Sequence, residues 1–199
     1  MKAINIGLLG LGTVGGGTVS VLTRNVDEIA RRAGREIIIS HAAAKDYDAD
    51  AIEGLDKIGK INDDVFAVVN DPEVEIIIEL IGGYTLAKDL VLKAIENGKH
   101  VVTANKALIA LHGNEIFKAA QDKGVTVAFE AAVAGGIPII KAMREGLAAN
   151  QIHWAAGIIN GTGNFILSEM REKGRDFDDV LEEAQALGYA EADPTFDVE

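Results

Sequence analysis

Three glycines, Gly10, Gly12 and Gly15, constrain this chain more than any other feature. A short apolar run, Ile4-Asn5-Ile6-Gly7-Leu8-Leu9, leads into them, and a long amphipathic segment follows. Strand, G-x-G-x-x-G loop, then helix is the order a dinucleotide-binding βα turn requires. The first glycine permits the tight turn, the second lets a pyrophosphate reach the backbone, and the third lets helix pack on strand. The phosphates then meet free N–H groups at a helix N-terminus. The loop is therefore expected to hold a cofactor rather than to be a ligand-free turn.

Alternating strand and helix patterns fill the first two thirds of the chain. Val14, Val19, Val21, Leu22, Val26, Ile29 and Ala30 predict one long helix closing near Ala33-Gly34. Glu36 to Ala44 reads as a second strand, Glu75 to Ile81 as a third, His100 to Thr103 as a fourth and Val125 to Phe129 as a fifth. Asp46 to Asn70 is polar and poorly periodic, a short helix or loop, and Asp71-Pro72 makes a turn. A helix carrying Leu86, Leu90, Val91, Ala94 and Ile95 stops at Asn97-Gly98, and a short one spans Asn114 to Lys123. Continuous apolar strands read as buried on both faces, which implies a parallel, doubly wound α/β sheet.

The pattern changes near Glu130. Ala131-Ala132-Val133-Ala134-Gly135-Gly136 is small and glycine-rich, so the domains are expected over 1–130 and 131–199. Pro138 suits the first turn of a helix through Lys141, Ala142 and Leu147. Ile152 to Ile159 reads as a strand, Asn160 to Asn164 as a polar loop opening a helix, and Asp178 to Leu187 as a last helix ended by Gly188.

Composition narrows the partners. A net charge of -12 argues against nucleic acid, which needs a basic face. No cysteine is present, so thiolate catalysis, disulfides and Cys-ligated zinc are excluded. No apolar run approaches ~18 residues, so no transmembrane helix is expected. The start shows no signal-peptide pattern, which predicts a cytoplasmic protein.

Cofactor choice is read beyond the second strand, where an acid bonds the ribose hydroxyls of NAD and a cation favours the phosphate of NADP. Here Lys45 precedes Asp46, and the reading favours NADP over NAD. Thr103-Ala104-Asn105-Lys106 follows a strand, where an open α/β sheet binds ligands, so Lys106 is expected to project toward the cleft. A lysine there can polarise a substrate oxygen or exchange a proton, although a solvated surface lysine has the same sequence signature. Glu191, Asp193, Asp197 and Glu199 form an acidic tail open to three readings: a solvated loop, a cation site, or recognition of an ammonium or hydroxyl. The four histidines show no metal-ligand spacing and read as structural.

Taken together, these segments resemble the homoserine dehydrogenase family. The resemblance rests on Gly10-Leu11-Gly12-Thr13-Val14-Gly15, Glu79-Leu80-Ile81-Gly82-Gly83 and Thr103-Ala104-Asn105-Lys106-Ala107-Leu108. It continues through Glu130 to Ile140, Gly157 to Phe165, and Leu187 to Thr195. It implies a Rossmann-type sheet followed by the start of an α+β substrate and dimerisation domain. It implies NAD(P)-dependent interconversion of L-homoserine and L-aspartate 4-semialdehyde, on the route to threonine, methionine and isoleucine.

By the same resemblance, Gly10, Gly12, Thr13, Val14 and Gly15 form the pyrophosphate loop, and Lys45 lies near the adenosine ribose. Gly82 and Gly188 lie against the cofactor, and Lys106 sits at the nicotinamide and substrate. Glu191 binds the substrate amino group, and Asp197 is a further active-site acid. Glu130, Val133, Gly135 and Ile137 match a monovalent-cation site, usually sodium. The family pattern continues past residue 199 into a further substrate-binding aspartate and a second catalytic lysine. The 199 residues are therefore expected to be a poorly active fragment of a homodimeric enzyme, with apolar surface left exposed. Two other readings fit the residues: another amino-acid or semialdehyde dehydrogenase, and a non-catalytic nucleotide-binding module.

Overall fold

The computed structural model describes residues 2–158, 160–190, 194 and 195. The chain divides into two compact units, Met1–Ala148 and Ala149–Glu199.

The first unit is built on a six-stranded sheet. Its strands are β1 (Ile4–Leu9), β2 (Ile37–Ala43), β3 (Ile61–Asn62), β4 (Ile76–Glu79), β5 (His100–Thr103) and β6 (Val127–Ala128). Their order is β3-β2-β1-β4-β5-β6, and every pairing is parallel. The order reverses between β1 and β4, which opens a crevice at the carboxyl ends of the strands.

Two apolar cores flank the sheet. On one face Leu9, Ile77 and Val101 meet α3 (Val65–Asn70), α4 (Thr85–Glu96) and α5 (Lys106–Lys123) through Val68, Leu90, Val91, Leu108 and Ile116. On the other, Ile6, Leu8, Ile39 and Ala42 meet α1 (Thr13–Arg24) through Val19, and Ile52 and Ile58 of the following loop. Helices α3, α4 and α5 all lie on the first face. On the second face of β5, among the described residues, Val102 is 36% exposed, while Val101 on the first is buried. The apolar run that predicted a strand covered on both sides is thus covered on one.

Local chemistry moves several predicted boundaries. The long first helix is two helices, α1 and α2 (Val26–Ala33), broken at Asn25 with φ -111° and ψ 25°. The poorly periodic segment holds β3 and α3, the latter started by Asp64, whose carboxylate accepts from the N–H groups of Phe66 and Ala67. Helix α5 begins at Lys106 rather than Asn114, because the Asn105 side chain accepts from Leu108 N–H at 3.0 Å and caps it there. The helix expected after Pro138 is a short turn, α6 (Ile139–Lys141), that widens over Ala142–Gly146.

In the second unit, α7 (Gly161–Lys173) packs against α8 (Phe177–Ala186). Ile166, Val180 and Ala184 are buried between them. Asn160 caps α7 by accepting from Gly163 N–H, and Thr162 Oγ1 donates to Tyr189 O at 2.5 Å. The strand expected at residues 152–159 has no partner among the described residues. A strand exists only by pairing, and Trp154 and Ile158 of that segment are largely exposed. No helix among the described residues is long and apolar enough to cross a membrane.

Candidate active site at the carboxyl edge of the sheet

The register of the central strands sets the site. Leu9 of β1 pairs with Ala43 of β2 and with Glu79 of β4, and Glu79 pairs with Thr103 of β5. Four strands therefore end level. The residues just beyond them share one edge: the glycine loop after β1, Lys45 after β2, Gly82 after β4 and Lys106 after β5.

The glycine loop has the shape a pyrophosphate needs. Gly10 has φ +98°, and a Cβ there would lie 2.6 Å from Leu80 O, so only glycine fits. A Cβ on Gly15 would collide with the carbonyl oxygen of Gly10. A Cβ on Gly12 would meet nothing within 4 Å, so the space beside that glycine is open. Gly12 is the N-cap of α1 and supplies no side-chain cap. The first N–H groups of α1 have no partner within the helix and point the positive end of its dipole at that space. Thr13 and Val14 are exposed there. This cradle fits a dinucleotide phosphate.

Opposite the loop, Gly82 and Gly83 have φ +73° and +64° and keep the turn after β4 low. Asn105 ties that turn to the start of α5, its Nδ2 donating to Gly83 O at 2.5 Å. Lys106, the first residue of α5, is exposed at the same edge. Lys45 and Asp46 are exposed beyond β2.

Beneath the edge lies a polar group that the motif reading left without a role. Glu79 is fully buried, its Oε2 accepting from Thr103 Oγ1 at 2.7 Å and its Oε1 from Ile81 N–H at 3.0 Å. The Asn105 side chain also bonds to it. Burial pushes its carboxyl above the usual range, opposed by those bonds from Thr103, Ile81 and Asn105. The sequence carried one signal: an acid closing an otherwise apolar strand.

The remaining candidates lie apart from this edge in sequence. Glu130 accepts from Ile140 N–H at Oε1 and from Lys141 N–H at Oε2, both at 2.9 Å, and so caps α6. Between them the backbone passes Ala134 at φ +48°, and the Ile137 carbonyl accepts from Ile139 N–H at 2.8 Å. Glu130 is the one side-chain carboxylate among these four residues, and both of its oxygens accept from main-chain N–H groups. Among the described residues no group of three or more His, Asp or Glu could hold a metal ion. Gly188 follows α8 with φ +75°. Glu191 and Asp197 lie outside the described residues.

The sequence and the fold both match known proteins. The family model "Homoserine dehydrogenase, NAD binding domain" matches residues 10–130, and "Homoserine dehydrogenase" matches residues 138–199. Homoserine dehydrogenase of Pseudomonas aeruginosa is 69% identical over the whole chain, and that of Bacillus subtilis 44%. The chain spans 45% and 46% of those two proteins. A crystal structure of a homoserine dehydrogenase from Thiobacillus denitrificans superposes with TM-score 0.92 at 67% identity, covering all of this chain and 46% of the other. A hyperthermophilic archaeal homoserine dehydrogenase in complex with NADPH superposes with TM-score 0.78 at 28% identity, covering 99% of this chain and 65% of the other. With the family's NAD-binding domain filled from the glycine loop to Glu130 and its second model matched from Pro138 onward, the chain belongs to the homoserine dehydrogenase family.

Proposed function

We propose that these residues form the cofactor half of an enzyme that interconverts L-homoserine and L-aspartate 4-semialdehyde with NADP, in threonine, methionine and isoleucine synthesis. The observation that carries the reading is the level carboxyl edge of β1, β4 and β5, where an open phosphate cradle and a lysine share one rim. The nicotinamide, when bound, supplies the hydride acceptor.

The chain's own residues have separable tasks. Gly12, Thr13 and Val14 hold the pyrophosphate through main-chain N–H groups, and Gly10 and Gly15 shape the loop that offers them. Lys45 meets the 2′-phosphate of NADP, while Gly82 and Gly188 allow close approach of the cofactor. Lys106 takes the hydroxyl proton as hydride leaves the alcohol carbon, or stabilises the developing alkoxide. Glu191 holds the substrate ammonium, which fixes the orientation of the reacting carbon, and Asp197 supports the same site. Glu130, with main-chain oxygens of Val133, Gly135 and Ile137, holds a monovalent cation, sodium by preference. The working form is a cytoplasmic homodimer of the full-length protein.

The test is homoserine-dependent reduction of NADP and of NAD by the full-length protein bearing these residues. Reduction with homoserine, faster with NADP, is the expected result. A folded protein that binds nucleotide but reduces neither cofactor overturns the reading.

A further inference from the structure

Three hydrogen bonds run from a buried carboxylate to the first turn of α5, and a fourth branches to the turn after β4. Thr103 Oγ1 donates to Glu79 Oε2 at 2.7 Å, and the same hydroxyl oxygen accepts from Asn105 N–H at 3.0 Å. Asn105 Oδ1 then accepts from Leu108 N–H at 3.0 Å, and Asn105 Nδ2 donates to Gly83 O at 2.5 Å. Glu79 Oε1 accepts from Ile81 N–H, at the start of the turn carrying Gly82 and Gly83. The residue that follows Asn105 is Lys106.

We propose that Glu79 is the positioning residue of the site, setting Lys106 through Thr103 and the Asn105 cap and holding the Gly82-Gly83 turn at the same depth. This rests on the role of Lys106 proposed above.

The chemistry asks for a carboxylate. Both oxygens of Glu79 act as acceptors, from a main-chain N–H and from a hydroxyl whose own oxygen is already accepting, and the Asn105 side chain bonds to the carboxylate directly as well. A glutamine offers one acceptor oxygen in place of two, so it cannot accept from Ile81 N–H and from the Thr103 and Asn105 side chains together, and its NH₂ reverses the bond it turns toward. A leucine offers neither. The Thr103 hydroxyl can serve as a relay only because it donates and accepts at once, which valine of nearly the same shape cannot do. A carboxylate this deeply buried is costly unless its partners are fixed, and those partners are the two turns that frame the crevice. Glu79 is fully buried, so it acts on the site through the residues it holds, Lys106 foremost.

The experiment uses the full-length protein with four variants, E79Q, T103V, T103S and K106A, and the double variant E79Q/K106A. E79Q and T103V are expected to lower kcat roughly 10- to 100-fold, the cost of misplacing a reacting group by about an ångström. Their KM for homoserine and nucleotide affinity should move far less. T103S keeps the hydroxyl and should restore most of kcat. In the K106A background E79Q should cost little more, because both act through one group. Should E79Q fail to fold, the T103V and T103S pair carries the same comparison. Wild-type kcat in T103V, or full additivity of E79Q on K106A, overturns the proposal. Absence of homoserine activity in the wild type, or an unaffected K106A, instead overturns the role of Lys106 on which it rests.

Discussion

The carbonyl oxygen of Gly10 fills the place that a Cβ on Gly15 would occupy, whereas the corresponding place at Gly12 is empty. The two glycines are thus required for different reasons. Gly15→Ala drives a methyl into backbone that cannot yield, and should cost about 1–3 kcal/mol of stability together with nucleotide affinity. Gly12→Ala meets no protein atom, and its φ of -70° is ordinary for alanine. It should melt near wild type yet bind nucleotide weakly, since its methyl enters the space left for the pyrophosphate. Thermal melts with and without NADPH separate the two. Equal loss of affinity without loss of stability in both variants would contradict this assignment.

The same loop explains how much of the fold was legible. Strands β1, β2, β4 and β5 declare themselves as apolar runs closed by Gly10, by Lys45-Asp46, by Gly82-Gly83 and by Asn105, and the alternation with helices implies parallel pairing. The break at Asn25 is invisible because apolar spacing runs straight through it, from Val21 and Leu22 to Val26 and Ile29. The early start of α5 depends on what the Asn105 side chain accepts, which periodicity does not report. Lys106 and the glycine loop were readable because they follow strands. Glu79 was not, because its partner Thr103 lies 24 positions away and only β4–β5 pairing brings them together.

Asp71 gives a stability that depends on pH. Its Oδ1 accepts from Glu73 N–H at 3.0 Å, and its Oδ2 lies 2.8 Å from Nδ1 of the buried His41. Asn62 Oδ1 accepts from Asp64 N–H, so its Nδ2 faces His41 Nε2 and the imidazole donates through Nδ1. The Glu73 N–H first, and His41 next, hold the Asp71 carboxyl below its usual value of 3.8. A lowered folded pKa adds stability that is present above the unfolded value and lost as pH falls through the folded one. Asp71→Asn should therefore cost about 1–3 kcal/mol at neutral pH, and the gap should close below pH 3.8. Urea melts across that range test it, and a gap constant with pH would rule the ionised carboxylate out as the cause.

Lys99 is 5% exposed and works as a clamp on the same turn. Its Nζ donates to Asp71 O at 2.6 Å and to Val74 O at 2.7 Å. Lys99→Met keeps the apolar stem and removes both donors, leaving Val74 O short of a partner and Asp71 O with the Val74 N–H at 3.2 Å. A loss of about 2–4 kcal/mol is expected in chemical denaturation, with nucleotide affinity unchanged because the clamp lies at the opposite ends of the strands. Wild-type stability in this variant would mean that water replaces the ammonium at no cost.

Lys45 stands two residues beyond β2, exposed at the rim, with Asp46 beside it. If the ammonium meets the 2′-phosphate, Lys45→Ala should raise the KM for NADP about tenfold, the worth of one charge-assisted hydrogen bond. The KM for NAD, which lacks that phosphate, should hold. Steady-state kinetics of the full-length protein with both cofactors decides it, and equal rises for both would move the recognition elsewhere.

Lys106 carries the sharpest consequence. It opens α5 at the rim, where the helix N-terminus already places partial positive charge, so removing its ammonium should leave the fold intact. Lys106→Met retains the aliphatic stem while deleting the nitrogen that handles the departing proton. In the full-length protein kcat should fall by about 10²- to 10⁴-fold, the usual worth of a positioned acid or base, with melting temperature and nucleotide affinity close to wild type. A fall in homoserine affinity alone, with kcat preserved, would make Lys106 a binding group and remove it from proton transfer. A fall in kcat that a higher pH partly restores would instead place hydroxide in the role that the lysine has given up.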